Sequence, residues 1–468
     1  MVTNQAPKSD GAPHSIALAL SGGGHRATLF TLGALMYVVD AGRARDTTSI
    51  ASVSGGSLTN GFLGQTLDFQ NVNSPGFEKR VVAPLAGQIA QRGTLFAPLL
   101  TKLYAAGLAV GLVAAFLPLW LVPEGWGTRH LIVLGLLFAW GWLLGLRGKI
   151  CARALKKTLF SPGGKVTPLS GIGTKVSHIL CATELRTAES VYFAGDFVYA
   201  FAFGPGKPAA LPLYRAVQAS ASFPGGFPPA RLPTRTHEFA GPLGGGAPAP
   251  SVRDFVLSDG GVYDNMGDEW ARGFSERAHL WKWLAETKVA PTQLVVINAS
   301  ARIPWVPFRW GRVPLLGEIL ALLRVSDIMY LNTTNVRRQD IVRSFDPLTP
   351  NRTGALPAAL VQIAQTPFGV ADQFARAVGH PVAQRAEAVI RALGPGNRET
   401  WREVASQNAS VATTLAKLGT AVSARLLYQG YVVAMCNLHV IFGSDDGPLD
   451  DWPLLPIPSL DRFLALVR

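Results

Sequence analysis

The chain has 468 residues, enough to bury a large core, and its three cysteines, Cys151, Cys181 and Cys436, are widely spaced and odd in number, which excludes a disulfide framework and a zinc site and fits reduced thiols. It carries 43 basic against 30 acidic residues, a net charge of +13, yet 48% of it is hydrophobic and only 16% charged. An anionic, apolar partner such as a lipid surface fits this balance; nucleic acid is not expected, because no binding signature or long basic run accompanies the charge.

Residues 1–14 form a polar tail with no apolar stretch or cleavage pattern, so a cleaved secretion signal is not expected. Residues 15–20 read as a buried strand that runs into SGGGHRAT. There Gly22, Gly23 and Gly24 offer consecutive amides with no side chain to shield them, and a helix starting near His25 aims its positive end at the same spot. Residues 49–53 predict a second strand, ending in Ser54, Gly55 and Gly56. This approximates the G-x-S-x-G elbow, which exposes a serine oxygen on a tight strand-to-helix turn. Ser52 stands where glycine is usual, so strain is expected at Ser52, while Ser57 lacks the elbow position. Nucleotide binding is disfavoured: neither Gly-Lys-Ser/Thr nor the G-x-G-x-x-G spacing is present.

Next comes an apolar insertion. Residues 103–122 hold 20 positions without a charge, about 30 Å of helix, and residues 131–146 hold 16, about 24 Å. The link PEGWGTRH is short, which predicts a helical hairpin; a hairpin buried in protein or dipping into one leaflet is the alternative to a spanning one. Arg92 and Lys102 precede it, and Arg147, Lys149, Arg153, Lys156, Lys157 and Lys165 follow, against Arg129 in the link. The positive-inside rule then puts both ends at the cytoplasmic face of an inner membrane, with Tyr104 and Trp142 at one interface and Trp120 and Trp126 at the other.

Apolar runs near residues 179–183, 191–194, 197–203, 255–257 and 294–298 alternate with helix-like stretches, the pattern of an α/β sheet with layered helices. Residues 223–250 are too rich in glycine and proline for regular structure, and a lid or a mobile surface loop are both open readings. The run at 255–258 ends in Asp259, Gly260 and Gly261, a carboxylate on a tight turn; Asp264 and Asn265 behind it read as turn formers.

Gly22 to Gly24 with Arg26, Ser54 in its elbow, Asp259 in a DGG turn and AVQASASFPGGFPP at residues 216–229 together resemble the patatin-like phospholipases over roughly residues 15–300. SGGGHRA and VSGGS lean toward the cytosolic phospholipase A2 and lysophospholipase branch. The resemblance implies a patatin-like sandwich: a central, mostly parallel sheet with flanking helices, here with the inserted hairpin and a helical C-terminal part. It implies Ser54 as nucleophile, Asp259 as its base without a histidine, the Gly22, Gly23 and Gly24 amides as oxyanion hole and Arg26 as the phosphate contact, with no cofactor and no metal. The substrate would be a phospholipid or lysophospholipid ester at a membrane. A free carboxylate with pKa ~3.9 is a feeble base, so a dry site around Asp259 is expected to raise it. His279, His380 and His439 follow Asp259 and leave a Ser-Asp-His order open, while His25 shapes the anion site or sits at the surface.

The catalytic part is thus expected at residues 15–310, interrupted by the hairpin at 100–150, and a helix-rich part packed on it at 311–468. In that last part, residues 382–393 and 413–427 show helical periodicity. Residues 303–316 mix tryptophan, phenylalanine and arginine in a manner suited to a head-group layer, or to an ordinary packed loop. Residues 426–442 are apolar but interrupted by Gln429, Asn437 and His439, which predicts a core helix. An acyltransferase using the same residues and a catalytically idle lipid binder remain the alternatives to a hydrolase.

Overall fold

The computed structural model describes residues 14–121, 126–245, 252–300, 313, 316–349, 356–443 and 452–468. The aromatic and basic stretch at 303–316 lies almost wholly outside the described residues, as do the end of the glycine-rich segment and the side chain of Trp126.

Among the described residues ten strands form one sheet: β1 (Ile16–Leu20), β2 (Thr47–Val53), β3 (Ser177–Glu184), β4 (Glu189–Phe193), β5 (Val198–Ala200), β6 (Gly204–Gly206), β7 (Ala230–Pro233), β8 (Asp254–Asp259), β9 (Gln293–Asn298) and β10 (Ala358–Gln362). The order is β10-β9-β1-β2-β3-β4-β5-β6, parallel from β10 to β3 and antiparallel beyond. β1 shows why the sheet is covered on both sides. Its odd and even residues face opposite ways: Ile16, Leu18 and Leu20 join the main core, while Ala17 and Ala19 pack with Met266 and Ile341 on the other side. A strand buried on both faces reads as continuously apolar, as IALAL does.

Helix α1 (Gly24–Asp40) returns from β1 and α2 (Gly55–Thr66) from β2. The long helix Thr420–Phe442 packs against α1 closely enough that a Cβ on Gly430 would stand 2.1 Å from the Phe30 carbonyl oxygen. The core helix expected at 426–442 is therefore present, six residues longer at its start.

Three expectations change. The C-terminal part is more than a helical layer, because its short run AALVQ becomes β10 and extends the sheet beside β9. Residues 413–419 are not helical: Gly419, at φ 83°, stops the chain from joining the helix that begins at Thr420, and a strap results. The proline-rich segment before Asp259 contains regular structure after all, since in β7 the buried Ala230 and Leu232 alternate with exposed Arg231 and Pro233 and pair with β8.

The insertion folds as a helical hairpin of Leu99–Phe116 and Trp126–Gly145, followed by the amphipathic helix Arg147–Thr158. Segments Leu99–Leu121 and Gly127–Thr158 are long and apolar enough to cross a membrane by length and composition. The second helix starts earlier than its uncharged run, taking Arg129 and His130 into its first turns. Tyr104 Oη donates to the Leu143 carbonyl at 2.7 Å, beside Trp142, and Trp140 Nε1 donates to the Leu108 carbonyl at 2.8 Å, so the two helices clasp each other.

Candidate active site

Strand register brings the two principal candidates together. β2 ends with Val53 opposite Cys181 of β3; β8, running the other way, ends with Asp259 opposite the next residue, Ala182. Because β4 covers the other edge of β3 at Leu180 to Glu184, β8 must lie on the β2 side. The two strands meet head to head, and Ser54 and Asp259 occupy the junction.

Ser54 has φ 50° and ψ −112°, outside the usual regions for a side chain-bearing residue, at a cost of about 1–3 kcal/mol. The strain expected at Ser52 therefore falls on Ser54. Ser52 sits in regular β2, fully buried, with its hydroxyl among Asn60 Nδ2 at 2.9 Å, Ser57 Oγ at 3.0 Å and the Ile179 carbonyl at 3.0 Å. At Ser54 the turn leaves the side chain half exposed at the start of α2.

Asp259 is 2% exposed. Its Oδ1 accepts from the Gly261 amide at 2.8 Å, and among the described residues its Oδ2 forms no hydrogen bond within the usual distance and angle. Burial raises its pKa to about 6, against the opposing pull of the Ser54 side chain and the Gly261 amide, both of which favour the charged form. None of the hydrogen bonds of His279, His380 or His439 among the described residues reaches this pair: His380 caps a helix at Val382, and His439 bonds the Trp452 carbonyl.

The glycine turn lies at the joined N-termini of α1 and α2. Gly23 has φ 138°, a conformation that an L side chain rarely adopts. The Gly22 amide donates to the Asn265 carbonyl at 3.0 Å, so its hydrogen is already engaged. The amides of Gly23, Gly24 and Gly55 stand in the first, intrinsically unsatisfied positions of the two helices. Gly55 is the donor that motif reading passed over; its place directly after the elbow serine is the available signal.

Arg26 is turned inward. It is 1% exposed, and its guanidinium donates to the Ala299 carbonyl at 3.0 Å, to the Val411 carbonyl and to Thr413 Oγ1 at 3.3 Å. His25 is equally buried: Nδ1 donates to the Ala416 carbonyl at 2.8 Å and Nε2 accepts from Thr94 Oγ1 at 2.9 Å. Burial lowers its pKa to about 4 and keeps it neutral. Both residues hold the 411–418 strap on the start of α1, where the His25 amide also donates to the Thr414 carbonyl at 2.9 Å. Asp264 accepts from the amides of Met266, Gly267 and Glu269, as a turn former does. Among the described residues no cluster of three or more His, Cys, Asp or Glu side chains could hold a metal ion.

The sequence profile of the patatin-like phospholipases matches residues 18–267, more than half of the chain, with Gly22 to Gly24, Arg26, Ser54 and Asp259 inside the matched stretch. This chain belongs to the patatin-like phospholipase family. At the family level it is a lipid acyl hydrolase, built on the α/β sandwich of that family. Among solved structures it is similar to VipD from Legionella pneumophila at 12% identity and a TM-score of 0.25, over 91% of this chain and 85% of that one. A comparison with curated proteins finds no match.

Proposed function

We propose that this patatin-like chain is a membrane-anchored serine hydrolase cleaving an acyl ester of a phospholipid or lysophospholipid. The observation that carries the chemistry is the head-to-head meeting of β2 and β8, which sets a strained serine beside a buried carboxylate. As Ser54 Oγ bonds to the ester carbonyl carbon, its proton passes to Asp259 and the carbonyl electron pair moves onto oxygen, facing the Gly23, Gly24 and Gly55 amides. Collapse breaks the bond to the alcohol, which leaves with the proton from Asp259. Water attacks the acyl-enzyme in the same way, releasing the fatty acid and free Ser54. A carboxylate with pKa about 6 is still ionised at neutral pH and a better base than an ordinary aspartate. Gly22 shapes the turn through Asn265. Arg26 steadies the strap beside the turn and would meet a substrate phosphate once the strap lifted.

Membrane anchoring rests on the hairpin and its root. The root helix Arg147–Thr158 buries Ile150, Cys151, Ala154 and Leu155 and exposes Lys149, Arg153 and Lys157, a basic face suited to anionic head groups. Arg147 Nε donates to the Gly226 carbonyl at 2.8 Å, in the loop that follows Ser222, and the Ser222 carbonyl holds the Asp259 amide at 3.0 Å. A lipid leaving the bilayer at the hairpin root would have a short path to Ser54. Basic flanks at both ends of the hairpin support a cytoplasmic catalytic face at the inner membrane.

The test is fatty-acid release from phospholipid vesicles together with fluorophosphonate labelling. Ser54→Ala and Asp259→Asn are each expected to lower release by about 10³-fold or more, and Ser54→Ala to abolish labelling. Retained activity in Ser54→Ala would sink the mechanism. The apparent kcat/KM should rise with pH through about 6, where Asp259 ionises. Release of the chain into the soluble fraction by carbonate would remove the anchor.

A further inference from the structure

The helix Leu213–Ser220 ends beside both halves of the site. Ser220 Oγ, fully buried, has three neighbours: the Ser54 amide donates to it at 3.1 Å, Ser57 Oγ lies at 2.8 Å and the Cys181 carbonyl at 2.6 Å. A carbonyl only accepts, so the single Ser220 hydrogen goes to Cys181, and its two lone pairs take the Ser54 N–H and the Ser57 O–H. Ser57, having donated, accepts from Ser52, whose hydrogen is shared between Ser57 Oγ and the Ile179 carbonyl, both at 3.0 Å. Asn60 Nδ2 donates to Ser52 Oγ at 2.9 Å, and Asn60 Oδ1 accepts from His178 Nδ1 at 2.7 Å. An amide oxygen only accepts, so His178 Nδ1 carries the hydrogen, and burial, which lowers the ring's pKa to about 4, keeps it neutral.

His178, Asn60, Ser52, Ser57 and Ser220 thus make a continuous hydrogen-bonded chain, all buried, that ends on the atom receiving the Ser54 amide. Two residues further on, the Ser222 carbonyl accepts the Asp259 amide at 3.0 Å and Ser258 Oγ at 3.2 Å. One helix end therefore grips the main chain of both candidates.

We propose that Ser220 is a positioning residue for the hydrolysis: its hydroxyl pins the Ser54 amide, holds the strained elbow and, through Ser222, keeps Ser54 in register with Asp259. Ser52, in place of the usual glycine, orients the hydroxyls that present Ser220. This rests on Ser54 being the nucleophile.

The experiment compares full-length wild type, Ser220→Ala and Ser220→Cys with a soluble short-chain ester and a fluorophosphonate. Ser220→Ala is expected to lower kcat by roughly 10- to 100-fold, with KM within a factor of about two. The fluorophosphonate should still label Ser54 to full stoichiometry, with a rate constant lower by the same factor as kcat. A merely structural role would do the reverse, leaving fewer labelled sites that react at the wild-type rate. Ser220→Cys fills nearly the same space with a weaker acceptor, so its rate should fall between the two. Wild-type rates per labelled site in Ser220→Ala, or in Ser220→Cys where the alanine variant does not fold, overturn the proposal. Wild type that does not label at Ser54 overturns the nucleophile reading and this proposal with it, and that outcome shows before any variant is compared.

Discussion

The hairpin and the helix Thr420–Phe442 are both long and apolar, yet their surroundings are opposite. In the 18-residue apolar stretch of each hairpin segment, of mean hydropathy 1.9 and 1.8, only 6% of residues are buried, and Trp120 is 88% exposed. Thr420–Phe442 is buried along most of its length between α1 and β10. Three of its buried polar residues bond to other parts of the protein: Gln429 donates to the Ile363 carbonyl and accepts from Asn408, Asn437 donates to the Leu360 carbonyl, and His439 bonds the Trp452 carbonyl. Among the described residues the hairpin's Tyr104 and Trp140 bond only within the hairpin. Polar groups inside an apolar helix mark contact with protein, where each needs a partner; a helix with almost none suits surroundings that offer none.

The strongest way to break this contrast is Gly430→Leu. Because a Cβ there would meet the Phe30 carbonyl oxygen at 2.1 Å, thermal unfolding should show a loss above about 4 kcal/mol, or no folded protein. Little change would mean that the close approach is not needed.

Asp259 is a buried group of the opposite kind to Gln429, an ionisable carboxyl whose charge burial penalises, and so should weaken the fold. Its folded pKa of about 6 lies above the unfolded value, so folding favours the protonated form. Stability then falls as pH rises from about 4 through 6, and Asp259→Asn should stabilise the protein at about pH 8 by on the order of 2–3 kcal/mol while abolishing activity. An unchanged melting temperature at that pH would contradict the burial argument. Gln429→Leu, which takes one acceptor from the Asn408 amide and the donor from the Ile363 and Gln365 carbonyls, should cost about 1–3 kcal/mol by denaturant unfolding.

On the hairpin side, replacing the exposed Leu103, Val110, Val113, Leu134 and Phe138 by serine should lower vesicle hydrolysis about tenfold. Turnover of a soluble ester should stay within a factor of about two. Equal losses on both substrates would show that the hairpin serves the catalytic fold itself. The smallest effect belongs to Gly107→Leu: nothing lies within 4 Å of its added Cβ, so thermal unfolding should shift by less than about 0.5 kcal/mol.

Much of the site was legible because its parts are local. Three glycines before a helix, a serine followed by two glycines and an aspartate in DGG each declare a tight turn at a strand end, whatever surrounds them. The raised pKa of Asp259 was expected from the need for a dry base, and its 2% exposure supplies the cause. Ser52 was misjudged as a strained position because elbow motifs compare side-chain size, whereas its hydroxyl lies in a buried chain that only the fold assembles. The resemblance implied a phosphate contact for Arg26 but not its inward hydrogen bonds, because their acceptors, Ala299, Val411 and Thr413, are hundreds of residues away. β10 was missed because five residues of moderate apolarity become a strand only beside the waiting edge of β9.

The sequence by itself determined the strand-to-turn-to-helix units, the family and the apolar hairpin, since hydrophobic period and turn chemistry act over a few residues. Only the tertiary structure decided that β2 and β8 meet end to end beside β3, that the Gly22 amide is engaged while those of Gly23, Gly24 and Gly55 stand at helix starts, and that Ser220 and Ser222 grip both strand ends. Those outcomes depend on register between segments more than 100 residues apart, and register is set by packing and hydrogen-bond complementarity over the whole sheet, which no local motif encodes.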